Sequence, residues 1–142
     1  MRIVLLGATG FVGHHLLPEL SAAGHYCLVL SRYPPGCREL ELVPRVEIRQ
    51  ERDFSASRLA SHFENADAVI NMVGILNESG GKGKGFQQAH VSLVENILEA
   101  CRSSGVRRLV QVSALNAGKG SSEYLISKGK AEDCIRNATD ID

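Results

Sequence analysis

Short, almost unbroken apolar runs alternate along the chain with longer stretches whose apolar positions recur every three or four residues. Ile3-Val4-Leu5-Leu6 predicts a first strand. Phe11, Val12, Leu16, Leu17 and Leu20 fall at helical spacing, predicting a helix from Phe11 up to Ala23 that Gly24 stops. Pro18 lies inside it, has no N–H to give, and predicts a bend. Tyr26-Cys27-Leu28-Val29-Leu30 reads as a second strand, apolar enough for a parallel strand covered on both faces. Ser31-Arg32 ends it, and Tyr33-Pro34-Pro35-Gly36 is a loop. Val46-Glu47-Ile48-Arg49 is a short third strand, and a helix from Ala56 to Phe63 follows with Ser55 as its expected N-cap. Asp67 to Gly74 is a fourth strand. The glycine-rich stretch from Asn77 to Gly85 is either a mobile loop or a lid over a substrate. Val91, Val94, Ile97, Leu98 and Cys101 mark a long helix from Phe86 to Ser103, ended by Gly105. Val106 to Ser113 is a fifth strand, and a loop from Asn116 to Ser122 precedes a last helix, Glu123 to Asn137.

Strands alternating with helices require crossover connections, hence a parallel sheet with helices on both faces. The first turn, Leu6-Gly7-Ala8-Thr9-Gly10-Phe11-Val12-Gly13, sharpens this to a three-layer, doubly wound α/β fold of Rossmann type with strand order 3-2-1-4-5. A strand running into the open end of a helix makes an anion site, because the first helical N–H groups have no partner and the helix dipole favours negative charge. Gly7 allows the turn off the strand. Gly10 lets a pyrophosphate approach the backbone, Gly13 lets the helix lie close, and Phe11 and Val12 offer their N–H groups. Glycine trios also occur in ordinary turns; the strand and helix on either side raise this one to a dinucleotide site. His14 and His15 in the first turns are solvated helix positions or phosphate contacts.

Composition narrows the field. No linker or shift in composition divides the 142 residues, which read as one domain, 1–142. Sixteen basic and sixteen acidic residues cancel, so neither nucleic acid nor an acidic membrane surface is an expected partner. No apolar run is long enough to span a bilayer and no signal-peptide pattern opens the chain, which points to a cytoplasmic protein. Cys27, Cys37, Cys101 and Cys134 lack C-x-x-C spacing and read as reduced thiols rather than a metal site or disulfide frame.

Two further groups carry chemistry. Rossmann domains that bind NAD deliver an acid from the end of the second strand to the adenosine ribose. This chain has Ser31 and Arg32 there, and a guanidinium suits a 2′-phosphate, so NADP is preferred over NAD; the plain alternative for Arg32 is a solvated loop residue. Asp53 faces the adenine or caps its helix. Tyr124 and Lys128, spaced i, i+4, share one helical face. An ammonium nearby favours phenolate and makes the tyrosine a better acid or base near neutral pH.

The glycine turn, Ala68-Val69-Ile70-Asn71-Met72-Val73-Gly74, Val112-Ser113-Ala114 and Tyr124-Leu125-Ile126-Ser127-Lys128 together resemble the short-chain dehydrogenase/reductase superfamily. They are most similar to its extended and atypical branch, the NAD-dependent epimerase/dehydratase group. Gln88-Ala89-His90-Val91 and Val112-Ser113-Ala114-Leu115 are similar to the accessory dehydrogenase-like subunit of respiratory complex I and its bacterial relatives. The resemblance covers essentially the whole chain. It implies NADP, or NAD, bound by Gly7, Thr9, Gly10, Phe11, Val12, Gly13, Ser31, Arg32, Val73 and Gly74, with Asp53 near the adenine and Lys128 at the nicotinamide ribose. It implies Tyr124 as acid/base, tuned by Lys128, with Ser113 assisting. It also implies an oxidoreductase or epimerase acting on a hydroxyl or carbonyl of a small substrate, in a homo-oligomer or a larger complex. Two departures stand out. The family's catalytic Ser or Thr lies one or two residues past Ser113, where this chain has Leu115 and Asn116; Ser113 substitutes for it or is simply buried. The family also continues past this point, so 1–142 reads as the N-terminal cofactor half of a longer protein. The competing class is a non-catalytic NAD(P)-binding sensor or assembly subunit; a fold remnant that binds no cofactor fits the intact glycine trio poorly.

Overall fold

The computed structural model describes residues 1–33, 39–77 and 83–142. Pro34 to Gly36 of the first loop, Cys37, and the middle of the glycine-rich stretch lie outside the described residues. Five strands, β1 (Arg2–Leu6), β2 (Tyr26–Ser31), β3 (Val46–Gln50), β4 (Ala68–Asn71) and β5 (Leu109–Gln111), form one parallel sheet in the order β3-β2-β1-β4-β5. The order is the one expected from the glycine turn at the head of an alternating strand–helix pattern.

The unbroken apolar runs are explained by burial on both sides. Successive residues of a strand point to opposite faces. Val4, Leu6, Leu28, Leu30 and Val69 enter one core, packed by Leu59 and Phe63 of α2 (Ala56–Phe63) and by Val94, Ile97 and Cys101 of α3 (residues 84–104). Ile3, Leu5, Cys27, Val29 and Ile70 enter the other, against Leu17 of α1 (Phe11–Ala22). The last helix, α4 (Glu123–Arg136), contributes Ala131 to the first core. Leu40 closes the second core from a short 3-10 turn, Leu40–Leu42, in a stretch without a periodic signal.

Local differences have local causes. β4 stops at Asn71 rather than Gly74, because the Val73 amide donates to Asn71 Oδ1 (3.1 Å) instead of continuing the ladder. β5 is likewise shorter than its apolar run. Ser55 occupies the N-cap position of α2 without a capping side-chain bond; Asp53 Oδ1 takes the Ser55 amide at 2.9 Å. α3 is one continuous helix with a π-helical turn, Gln87–Ser92, between α-helical segments Lys84–Phe86 and Leu93–Ser104. Cys27 and Cys101 are buried and Cys134 half-buried, all as free thiols, and burial pushes the Cys101 thiol up to about 11. Among the described residues no helix is long and apolar enough to cross a membrane.

Candidate functional site at the carboxyl edge of the sheet

The three glycines of the first turn do different things. Gly7 has φ +75°, and a Cβ there would lie 2.6 Å from the Val73 nitrogen. The turn after β1 and the loop after β4 therefore touch backbone to backbone. At Gly13 a Cβ would fall 1.9 Å from the Ala8 carbonyl oxygen, so this glycine lets α1 lie against the turn. Gly10 is extended (φ −90°, ψ −179°), and a Cβ there would meet only the Gly7 oxygen, at 3.6 Å. The space over Gly10 is the cradle an anionic group needs, at the start of a helix whose first N–H groups have no helical acceptor. Thr9 is half-buried beside it, and Phe11 and Val12 are exposed. His14 and His15 donate from Nδ1 to the carbonyls of Gly10 (3.0 Å) and Phe11 (2.9 Å).

Next along the same edge are the ends of β2 and β3. Ser31 is buried, and its Oγ accepts the Tyr33 amide at 3.2 Å. Arg32 is exposed, with its carbonyl taking Gln50 Nε2 at 3.2 Å. Asp53 is also exposed, and its Oδ1 accepts the Ser55 amide just ahead of α2.

On the other side of β1 lie the tyrosine and lysine. Ser122 caps α4, accepting the Leu125 amide at 3.2 Å. Lys128 is 4% exposed, and its Nζ donates to the Val112 carbonyl, just past β5, at 2.9 Å. Burial pushes its pKa below the ordinary ammonium value, partly offset by Glu132. The Tyr124 ring meets His90 edge-on at 5.5 Å between centroids, and Phe86 at 6.1 Å. Ser113 Oγ is buried and has no hydrogen-bond partner among the described residues. Leu115 is 89% exposed, and Asn116 sits at φ 64°.

Two hydrogen-bond chains connect these parts, and neither was foreseen from the sequence. In one, the Val73 amide donates to Asn71, Asn71 Nδ2 donates to Gln111 (2.8 Å), and Gln111 Nε2 donates to the same Val112 carbonyl that holds Lys128 (2.9 Å). In the other, the Ile75 amide donates to His90 Nε2 (3.2 Å). That leaves the ring proton on Nδ1, which donates to Ser127 Oγ (2.8 Å), and the Ser127 hydroxyl donates to the Tyr124 carbonyl (2.8 Å). Burial first, and then the Lys128 charge, hold the His90 pKa down at about 4, so the ring is neutral. The π turn of α3 contains His90, and such turns are common at functional sites. Partners 37 and 40 residues apart leave no spacing signal to read.

The protein family described as NAD(P)H-binding matches residues 7–142. NADH dehydrogenase [ubiquinone] 1 alpha subcomplex subunit 9, mitochondrial, of Arabidopsis thaliana is 31% identical over 94% of this chain and 34% of its own length. The 2-alkyl-3-oxoalkanoate reductase of Stenotrophomonas maltophilia is 32% identical over 80% of this chain and 33% of its own. A crystal structure of UDP-glucuronic acid 4-epimerase from Bacillus cereus in complex with NAD superposes with a TM-score of 0.82, covering 97% of this chain and 51% of that one; at 18% identity it shares the fold. Across curated relatives the chain spans 33% to 65% of their length.

Proposed function

We propose that this chain, which belongs to the NAD(P)H-binding family within the extended branch of the short-chain dehydrogenase/reductase superfamily, is the N-terminal cofactor half of an NADP-preferring oxidoreductase or epimerase acting on a hydroxyl or carbonyl of a small substrate. The observation that carries the reading is the sharing of one sheet edge. The glycine cradle, the Val73–Gly74 loop pressed against it, and Lys128 anchored to Val112 all lie where parallel strands end. In this reading Gly7, Thr9, Gly10, Phe11, Val12 and Gly13 receive the pyrophosphate, and Ser31 and Arg32 the 2′-phosphate side. Asp53 faces the adenine. Val73, Gly74 and Lys128 receive the nicotinamide end. A bound nicotinamide supplies or accepts the hydride. Tyr124 gives or takes the proton at the substrate oxygen, Lys128 holds its charge beside it, and Ser113 has a hydroxyl to offer there.

The test is calorimetric titration of NADPH and NADH into the wild type and Arg32→Ala. A charge-assisted contact to a 2′-phosphate contributes about 1.5–3 kcal/mol. The wild type should prefer NADPH, and Arg32→Ala should lose roughly tenfold or more for NADPH with little change for NADH. Equal losses would remove Arg32 as the discriminator.

A second reading is a non-catalytic NAD(P)-binding sensor or assembly subunit. It is favoured by Leu115, an exposed apolar side chain where the superfamily supplies a hydroxyl, and by the buried Ser113 hydroxyl, which has no partner among the described residues. The relative named as a subunit of NADH dehydrogenase fits this reading, and the reductase fits the first.

A further inference from the structure

Glu51 follows β3, and its amide still bonds the Ser31 carbonyl at 2.9 Å, so it lies at the carboxyl edge beside the end of β2. It is 6% exposed, and a carboxylate taken out of water needs partners. It has four. Oε1 accepts the Arg52 and Asp53 amides, each at 2.9 Å. Oε2 accepts Arg58 Nε at 2.6 Å and His62 Nε2 at 2.8 Å. The His62 bond above all, then the Asp53 amide, keeps its carboxyl down at about 2, so it is ionised. With both oxygens turned inward, Glu51 is occupied by the protein itself. Two successive amides on one oxygen fix the turn at Arg52–Asp53. From there Asp53 takes the Ser55 amide, and the Phe54 carbonyl takes Asn96 Nδ2 from α3 at 3.0 Å. Arg58 and His62 stand one turn apart on α2, beside the core residues Leu59 and Phe63.

We infer that Glu51 is the positioning residue of the adenosine side: it locks the turn carrying Asp53 to α2 and to the end of β3, so that the surface receiving the adenine is built before any ligand arrives. The inference rests on the reading that this edge takes the adenosine half of NADP.

The deciding experiment uses Glu51→Gln, which keeps the shape, removes the charge and turns an amide NH₂ toward donors. Without ligand, the Arg52 and Asp53 amides should exchange faster, while amides of β1 and β4 keep their protection. Affinity for NADPH and for adenosine 2′,5′-bisphosphate should fall together by roughly tenfold, as the loss of hydrogen bonds to a charged group implies. The emission of bound NADPH at saturation reports the nicotinamide end and should match the wild type. His62→Met removes one donor of four and should give the same pattern at smaller size; it decides the matter if Glu51→Gln does not fold. Unchanged affinity for the bisphosphate, or loss of affinity with altered NADPH emission and faster exchange throughout, would overturn the positioning role. A wild type that binds neither ligand would instead overturn the cofactor reading, and this inference with it.

Discussion

Gly10 and Gly13 lie three residues apart, look alike in sequence, and answer to different demands. A side chain at Gly13 meets a backbone oxygen at 1.9 Å, while one at Gly10 makes only an ordinary contact with the Gly7 oxygen at 3.6 Å. We expect Gly13→Ala to cost about 1–3 kcal/mol through forced displacement of turn and helix. Gly10→Val should cost less, about 0.5–1 kcal/mol, since the backbone there is extended but valine is a poorer N-cap than glycine. Yet Gly10→Val should abolish NADPH binding, because the new side chain fills the cradle. Thermal melts and calorimetry on the two variants separate the roles; a folded Gly10→Val protein with unchanged affinity would refute the site. The spacing of the three glycines was legible in the sequence, and so was the absence of an acid at Ser31-Arg32. The work of the single residues was less so. Ser55 stands at the N-cap position its residue type suggested, though without a capping side-chain bond, and Asp53, two positions earlier, accepts the Ser55 amide. Glu51 and His62 gave no signal, since a buried carboxylate and its donors look like any polar residues until the turn folds.

At the scale of the element, α3 carries the most that the sequence hid. Its apolar period was clear from Val91 to Cys101, because a helix buried along one face must repeat every three or four residues. The π turn that overlaps its start was not, and neither were the bonds His90 makes from it to Ile75 and Ser127. Those contacts have a consequence for pH. His90 is 2% exposed and holds its pKa near 4, against 6.5 for a free histidine. Between these values the unfolded chain binds more protons than the folded one, so stability should fall as pH drops from about 6.5 to 4. The loss attributable to His90 is of the order of 3 kcal/mol. Glu51 acts lower: with its folded pKa near 2 against 4.5, it stabilises fully above pH 4.5 and loses that contribution as pH falls towards 2. Urea unfolding of the wild type and His90→Asn at stepped pH should show the upper loss in the first and not in the second. The same slope in both would assign it to another group.

Across the whole molecule, parallel strands bring their carboxyl ends to one rim; the alternation of strands and helices made the parallel sheet legible, and the glycine turn made its order legible. What could not be read is how the two halves of the rim are fastened, because Asn71–Gln111 and His90–Ser127 join strands and helices far apart in the chain. Both chains of hydrogen bonds end on the tyrosine helix, one at Lys128 through Val112 and one at the Tyr124 carbonyl. Lys128 is thus held by the sheet and Tyr124 by α3, which separates what their removal should do. If the protein turns over a substrate, Tyr124→Phe should leave NADPH affinity nearly intact, since its carbonyl bond and most of its ring packing survive. It should slow the chemical step by about 10²–10⁴, the usual contribution of a general acid or base. If Lys128 serves the nicotinamide end as proposed, Lys128→Met should weaken both, because it removes a buried charge and leaves the Val112 carbonyl with one donor fewer. Steady-state assays on hydroxy and keto substrates, run beside cofactor titrations, distinguish the cases. Undiminished turnover in Tyr124→Phe would remove the tyrosine from the chemistry. A wild type that holds NADPH firmly and turns over none of these substrates would favour the binding subunit, with Leu115 exposed where the superfamily places a hydroxyl to polarise the substrate oxygen.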